Sequence, residues 1–113
     1  MENCLFCKII AGEIPSSKVY EDEKVYAFRD INPQTPTHIL VIPKKHVASM
    51  DAIDQASDED LAACLRALRT VARQEHLENG YRVISNCGPD ACQSVQHLHF
   101  HLLGGTRMSE RMA

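Results

Sequence analysis

At 113 residues the chain is one domain's worth, enough to bury a modest core. Its 44% hydrophobic and 24% charged content is that of a globular protein, and no apolar run reaches the roughly 18 residues that a membrane-spanning helix needs. The net charge of −3, with no basic stripe along any segment, argues against nucleic acid as a partner but admits a single nucleotide, whose phosphate needs only a few donors. The start, Met1-Glu2-Asn3-Cys4, has no basic segment leading into an apolar stretch. The expectation is therefore no signal peptide, a cytoplasmic location and no membrane partner. Five cysteines, an odd count, read as thiols or metal ligands rather than a disulfide framework. No repeat, low-complexity tract or linker is visible, so a single domain over 1–113 is expected.

Residues 4–11 form a short apolar helix candidate ended by Gly12 and Pro15. A brief strand fits 19–21. Residues 24–30 read as a strand with Val25, Ala27 and Arg29 on one face and Tyr26 and Phe28 on the other. Pro33 and Pro36 make 32–36 a turn. The apolar, β-branched run 38–42, closed by Pro43, reads as a buried strand. The clearest helix is 57–76. Ser57 caps it, and Asp58, Glu59 and Asp60 sit where the helix dipole favours anions. Leu61, Cys64, Leu65, Leu68, Val71 and Ala72 form one apolar stripe, with Arg66, Arg69 and Arg73 opposite. Asn79-Gly80 is a stop signal; 81–86 then reads as a strand, 87–92 as a loop and 95–103 as a strand. Few strands and one long helix predict an antiparallel α+β domain.

The last of these segments is the most informative. Strand side chains alternate, so His97, His99 and His101 share one face while Leu98, Phe100 and Leu102 share the other. Packing does not call for three imidazoles in a row. They could hold a catalytic metal as neutral ligands. Alternatively, one could attack an electrophile while its neighbours orient and stabilise it.

The run His97-Leu98-His99-Phe100-His101-Leu102-Leu103 resembles the signature of the histidine-triad (HIT) nucleotide-binding family, in which histidines alternate with apolar residues. Phe6-Cys7-Lys8-Ile9-Ile10 with Glu13-Ile14-Pro15 resembles that family's N-terminal helix. Ala27-Phe28-Arg29-Asp30-Ile31-Asn32-Pro33-Gln34 is similar to its nucleoside-binding strand and turn, and Pro36-Thr37-His38-Ile39-Leu40-Val41-Ile42-Pro43-Lys44-Lys45-His46 to its central strand. The resemblance implies an α+β fold with about five antiparallel strands, one long and one short helix. His101 at the third position, where transferase relatives usually have Gln, favours hydrolysis. Leu103-Gly104-Gly105 resembles the Hint-like nucleoside phosphoramidase branch, whereas dinucleoside polyphosphate hydrolases usually have Pro-Arg there.

By the same resemblance, His99 is the nucleophile at the α-phosphorus of a purine nucleotide such as AMP or GMP, forming a nucleotidyl-histidine that water cleaves. A backbone carbonyl is expected to hold one ring nitrogen of His99 and leave the other free. His101 would hydrogen-bond the phosphate or the bridging atom, Gln93, Ser94 and Asn86 would attend the phosphate, Ser94 would pass a proton to a leaving amine, and His38 would support the triad. Leu5, Phe6, Ile9, Phe28 and Ile31 would surround the base, with Asp30 on the ribose hydroxyls. Periodicity alone makes Phe6, Ile9, Phe28 and Ile31 ordinary core; the resemblance reverses that for at least Phe28 and Ile31.

Cys4-Leu5-Phe6-Cys7 has the spacing of half a zinc site, or is a pair of free thiols at a helix start. The resemblance, to the bacterial type with this N-terminal pair, supplies His46 and His97 as the other ligands of a closed, structural zinc site, with no catalytic metal required. Cys64 reads as core; Cys87 and Cys92 lie in the phosphate loop without an assigned role. Two features depart from the family pattern: Cys92 stands where Gly is usual, and the C-terminal segment lacks the Trp-Pro-Pro-Gly frequent in the Hint branch. The resemblance further implies a homodimer through a continuous sheet, with a possible seam at Leu65, Leu68, Ala72, Tyr81 and Val83. The rivals are a non-catalytic nucleotide-binding scaffold on the same fold, a dinucleoside polyphosphate hydrolase, and a hydrolase with a metal on His97, His99 and His101.

Overall fold

The architecture follows from two apolar patterns of different period, alternation in the strands and a helical stripe. The computed structural model describes residues 3–113; Met1 and Glu2, half of the segment read above for a leader, lie outside the described residues. Helix α1 spans Leu5–Ile10, with the Cys4 side chain accepting from the Cys7 N–H as its cap. Strands β1 (Lys18–Glu21), β2 (Val25–Arg29) and β3 (Thr37–Pro43) follow, then a 3-10 helix over Met50–Gln55, helix α2 (Asp58–Gln74), strand β4 (Tyr81–Ile84), a 3-10 turn at Pro89–Ala91 and strand β5 (Phe100–Gly104). The five strands form one antiparallel sheet in the order β1-β2-β3-β5-β4. The expected α+β class and five-stranded sheet are present, with two 3-10 segments besides the long and the short helix. No described helix is long and apolar enough to cross a membrane.

The central strands are apolar on both faces because both faces are covered. Val25, Ala27, Ile39, Val41, Phe100 and Leu102 pack against Cys64, Leu68, Val71 and Ala72 of α2. Tyr26, Phe28, Leu40 and Ile42 pack against Phe6 and Ile9 of α1. Ser57 caps α2 as expected, its Oγ accepting from the Asp60 N–H at 3.1 Å.

Three expectations need correction. Leu65 is 59% exposed, while Asp60 and Ala67 are buried. It lies at the margin of the stripe, and α2 is turned so that the Asp60–Ala67 side faces the sheet. Leu68 and Ala72 are core, so they are not available to a seam between subunits. The expected strand over 95–103 begins only at Phe100, because β3 and β4 supply no partners before that point: the pairing ends at Val41–Phe100 and Ile84–His101. Residues 95–97 bend instead.

Candidate active site and metal centre

His38 and His101 meet because β3 and β5 pair with Leu40 opposite His101, which makes His38 its diagonal neighbour on the same face. The alternation of the histidine segment survives beyond the end of the strand. Leu98 and Phe100 enter the cluster beneath α2, while His97 and His99 turn to the other side, where the Phe6 ring makes T-shaped contacts with theirs, centroid to centroid 5.2 Å from His99 and 6.0 Å from His97. The rings of His99 and His101 are 5.1 Å apart.

The hydrogen bonds determine which nitrogen of each ring carries its proton. The Gln34 N–H donates to His38 Nδ1 (3.0 Å), so neutral His38 is protonated at Nε2. That Nε2–H donates to His101 Nδ1 (2.9 Å), so His101 carries its own proton on Nε2. Asp30 Oδ2 lies 3.4 Å from the same His38 nitrogen, and Asp30 Oδ1 accepts from the Asn32 N–H. His99 Nδ1 donates to the carbonyl of His97 (2.7 Å), leaving a lone pair on Nε2. His97 Nε2 donates to the carbonyl of Pro43 (2.8 Å), leaving a lone pair on Nδ1. Burial holds the charged forms down: desolvation, with the neighbouring His99 and His38 adding to it, lowers His101 to about 4, and desolvation also lowers His38 against the pull of Asp30. The carbonyl expected behind His99 is present, and it belongs to His97.

His97 Nδ1 points at Cys4 Sγ (3.3 Å) and Cys7 Sγ (3.5 Å), and His46 Nδ1 at Cys7 Sγ (3.4 Å). These four donor atoms all lie within 4.8 Å of one another. The edges of a tetrahedron built on zinc's usual bond lengths, about 2.0 Å to nitrogen and about 2.3 Å to sulfur, are of this size, so the donor set fits zinc in both number and kind. Desolvation, and then the neighbouring Cys4, push the Cys7 thiol up to about 11, so metal binding would have to displace a proton there. A three-histidine metal site does not assemble. Among the described residues His97 groups with Cys4, Cys7 and His46, and His101 with Asp30 and His38.

The remaining expected site residues divide. Phe6, Ile9 and Phe28 are buried together, whereas Leu5 is exposed and Ile31 is 93% exposed, so Ile31 is not core. Ser94 is exposed in a cavity of about 670 Å³ shared with Asn3, Cys4, Leu5, His46, Val95 and Gln96. Asn86 is half-buried at the end of β4. The Gln93 amide is taken up by the backbone: Nε2 donates to the carbonyls of Ala48 and Val95, and Oε1 accepts from the Gly88 N–H. Cys92 adopts a left-handed conformation (φ 58°, ψ 40°), which accounts physically for a glycine preference at this position. The sequence reading missed Ser85, whose Oγ donates to the carbonyl of His99 (2.9 Å). Its only signal was its place one residue past the end of β4, beside the chain that enters β5.

Fold and site together define a small α+β protein that presents a group of hydrogen-bonded imidazoles beside a Cys₂His₂ cluster. A family model described as HIT domain matches residues 11–108. The chain is 55% identical over 107 residues to a 14 kDa zinc-binding protein of Zea mays, covering 93% of this chain and 84% of the relative. It is 47% identical over 107 residues to adenylylsulfatase HINT1 of Arabidopsis thaliana, covering 93% and 73%. A solved HIT family hydrolase from Clostridium thermocellum superposes with a TM-score of 0.96 at 47% identity, covering 100% of this chain and 99% of the other. The chain belongs to the HIT family.

Proposed function

We propose that the protein is a purine-nucleotide hydrolase that cleaves the bond between the α-phosphate of a nucleoside monophosphate and its leaving group, as in a phosphoramidate or an acyl-adenylate. The observation that carries this reading is the His99 ring. It is buried, held at Nδ1 by the His97 carbonyl, and keeps a free Nε2 lone pair beside an Nε2–H on His101. His99 Nε2 attacks phosphorus as the leaving group departs, and water then displaces His99 from the nucleotidyl intermediate. His101 offers its Nε2–H to a phosphate oxygen, where charge accumulates. Ser94 attends the leaving atom, Asn86 the phosphate and Asp30 the ribose, with Phe28, Ile31 and Leu5 toward the base. Gln93 contributes by holding the loop that carries Ser94. The name of the Arabidopsis relative, an adenylylsulfatase, supports a nucleotide α-phosphate as the reacting centre. The test is rapid-quench mass spectrometry with adenosine 5′-phosphoramidate. A transient adenylyl group on the peptide containing His99 is expected, and turnover without any such adduct would overturn the reading.

Cys4, Cys7, His46 and His97 would hold one zinc ion per chain, a closed site in which the cation cross-links segments and reaches no substrate. Elemental analysis of protein purified without added metal is expected to give about one equivalent. A homodimer completes the reading. Strand β4 is an edge of the sheet, and its Tyr81 and Val83, with Leu65 of α2, are exposed apolar side chains that a second copy would cover. Light scattering should give twice the chain mass of 12.7 kDa.

A further inference from the structure

Strand β5 begins only at Phe100 and leaves His97 and His99 outside the sheet ladder, so something else must hold the nucleophile in place. Two ties run to the last residue of β3 and the segment after it. His97 Nε2 donates to the Pro43 carbonyl, and the Leu98 N–H donates to the Val47 carbonyl at 2.6 Å. That same segment carries His46, whose Nδ1 faces Cys7, while His97 Nδ1 faces both cysteines. The cysteines in turn lie in the first turn of α1, whose Phe6 ring makes a T-shaped contact with His99. At six residues α1 is too short to persist without external anchors.

Among the described residues, and apart from the Ser85 bond to its carbonyl and the His101 ring 5.1 Å away, the contacts that place the His99 ring therefore pass through a residue of the Cys₂His₂ cluster or its immediate neighbour. We propose that this cluster is the positioning device of the nucleophile. When it holds a divalent cation, His97 is anchored at both ring nitrogens. Its carbonyl is thereby fixed, and this carbonyl keeps His99 in the Nδ1–H form with Nε2 aimed at the substrate. His97 is a positioning residue in this scheme: it touches neither substrate nor reacting atoms and acts through its carbonyl. Without the cation, the His97 ring is left with the single bond to Pro43 and α1 loses its anchor, so the carbonyl and the Phe6 ring can both drift. The inference rests on the assignment of His99 as nucleophile, but the two can fail separately.

The experiment compares ¹⁵N-labelled protein loaded with zinc, stripped by a chelator, and reloaded. Long-range ¹H–¹⁵N spectra read the tautomer of His99 directly, and rapid quench reads adduct formation. In loaded protein His99 should be a single Nδ1–H tautomer. Stripping should give a mixture of tautomers and slow adduct formation by roughly 10²-fold, the scale of a 1 Å misplacement. Reloading with zinc should restore both. Cys7→Ser should reproduce the stripped state and resist rescue by zinc. Stripped protein that keeps one His99 tautomer and its adduct rate would overturn the proposal. So would loss of hydrogen-exchange protection across β2 and β3 on stripping, because the cluster would then hold the whole fold rather than the nucleophile. Absence of any adduct in loaded protein would refute the nucleophile assignment alone, since the tautomer readout does not depend on turnover.

Discussion

The two faces of the sheet are covered by different physical means. Beneath α2 the contact is apolar throughout the central strands and, apart from Phe100, aliphatic, with Val25, Ala27, Ile39, Val41 and Leu102 all essentially inaccessible to water. Burial of this kind is non-directional and contributes roughly 1.5–3 kcal/mol per large side chain. The other face buries Tyr26, Phe28, Leu40 and Ile42 but also His38, His97 and His99. A buried imidazole is costly unless it is hydrogen-bonded, and each bond fixes which nitrogen is protonated. One face therefore supplies cohesion that tolerates small changes of shape. The other supplies orientation, through bonds that tolerate little change.

Substitutions can break this contrast from either side. His99→Ala should lower turnover by about 10³-fold or more, the scale of removing a covalent nucleophile, while unfolding stays cooperative; steady-state hydrolysis and urea denaturation together read this. Leu102→Ala, on the aliphatic face, should do the reverse. It should lose about 3 kcal/mol of stability in urea, with nucleotide affinity retained wherever the protein remains folded. A large loss of affinity in folded Leu102→Ala would show that the two faces are not separable.

The pH dependence sharpens the contrast at the imidazoles. Burial lowers His101 from its ordinary 6.5 to about 4, so between these values the unfolded chain binds more protons than the folded one. The stability due to neutral His101 is complete above about pH 6.5 and is lost as pH falls toward about 4, a change of order 2 kcal/mol. Urea titrations of wild type and His101→Gln across this window should converge as pH falls, and the difference cancels contributions from other groups. The smallest effect is expected at Cys92. Cys92→Gly removes a side chain from a left-handed position, and the relief is partly offset by the flexibility of glycine in the unfolded chain. A gain of no more than about 1 kcal/mol is expected, read as the midpoint of urea unfolding.

Much of this was determined by sequence alone. Strand alternation placed Val25 and Ala27 opposite Tyr26 and Phe28, Ser57 marked the start of α2, and the histidine spacing kept His97, His99 and His101 away from Leu98 and Phe100. These are local features, written in the period of the backbone. Tertiary structure decided where β5 begins, because a strand extends only as far as its neighbours pair with it. It decided that Leu65 faces outward, since stripe residues at the margin are sorted by how the helix rolls on the sheet. It also turned the Gln93 amide onto the backbone of Ala48, 45 positions away in sequence. Above all it chose a partner for each imidazole: Gln34 for His38, His38 for His101, the His97 carbonyl for His99, Pro43 for His97. A histidine in a sequence has two nitrogens and no preference between them that its neighbours reveal. Hydrogen bonds to segments as many as 63 residues away made one nitrogen of the pair a donor and the other a lone pair, and the chemistry of the site depends on that choice.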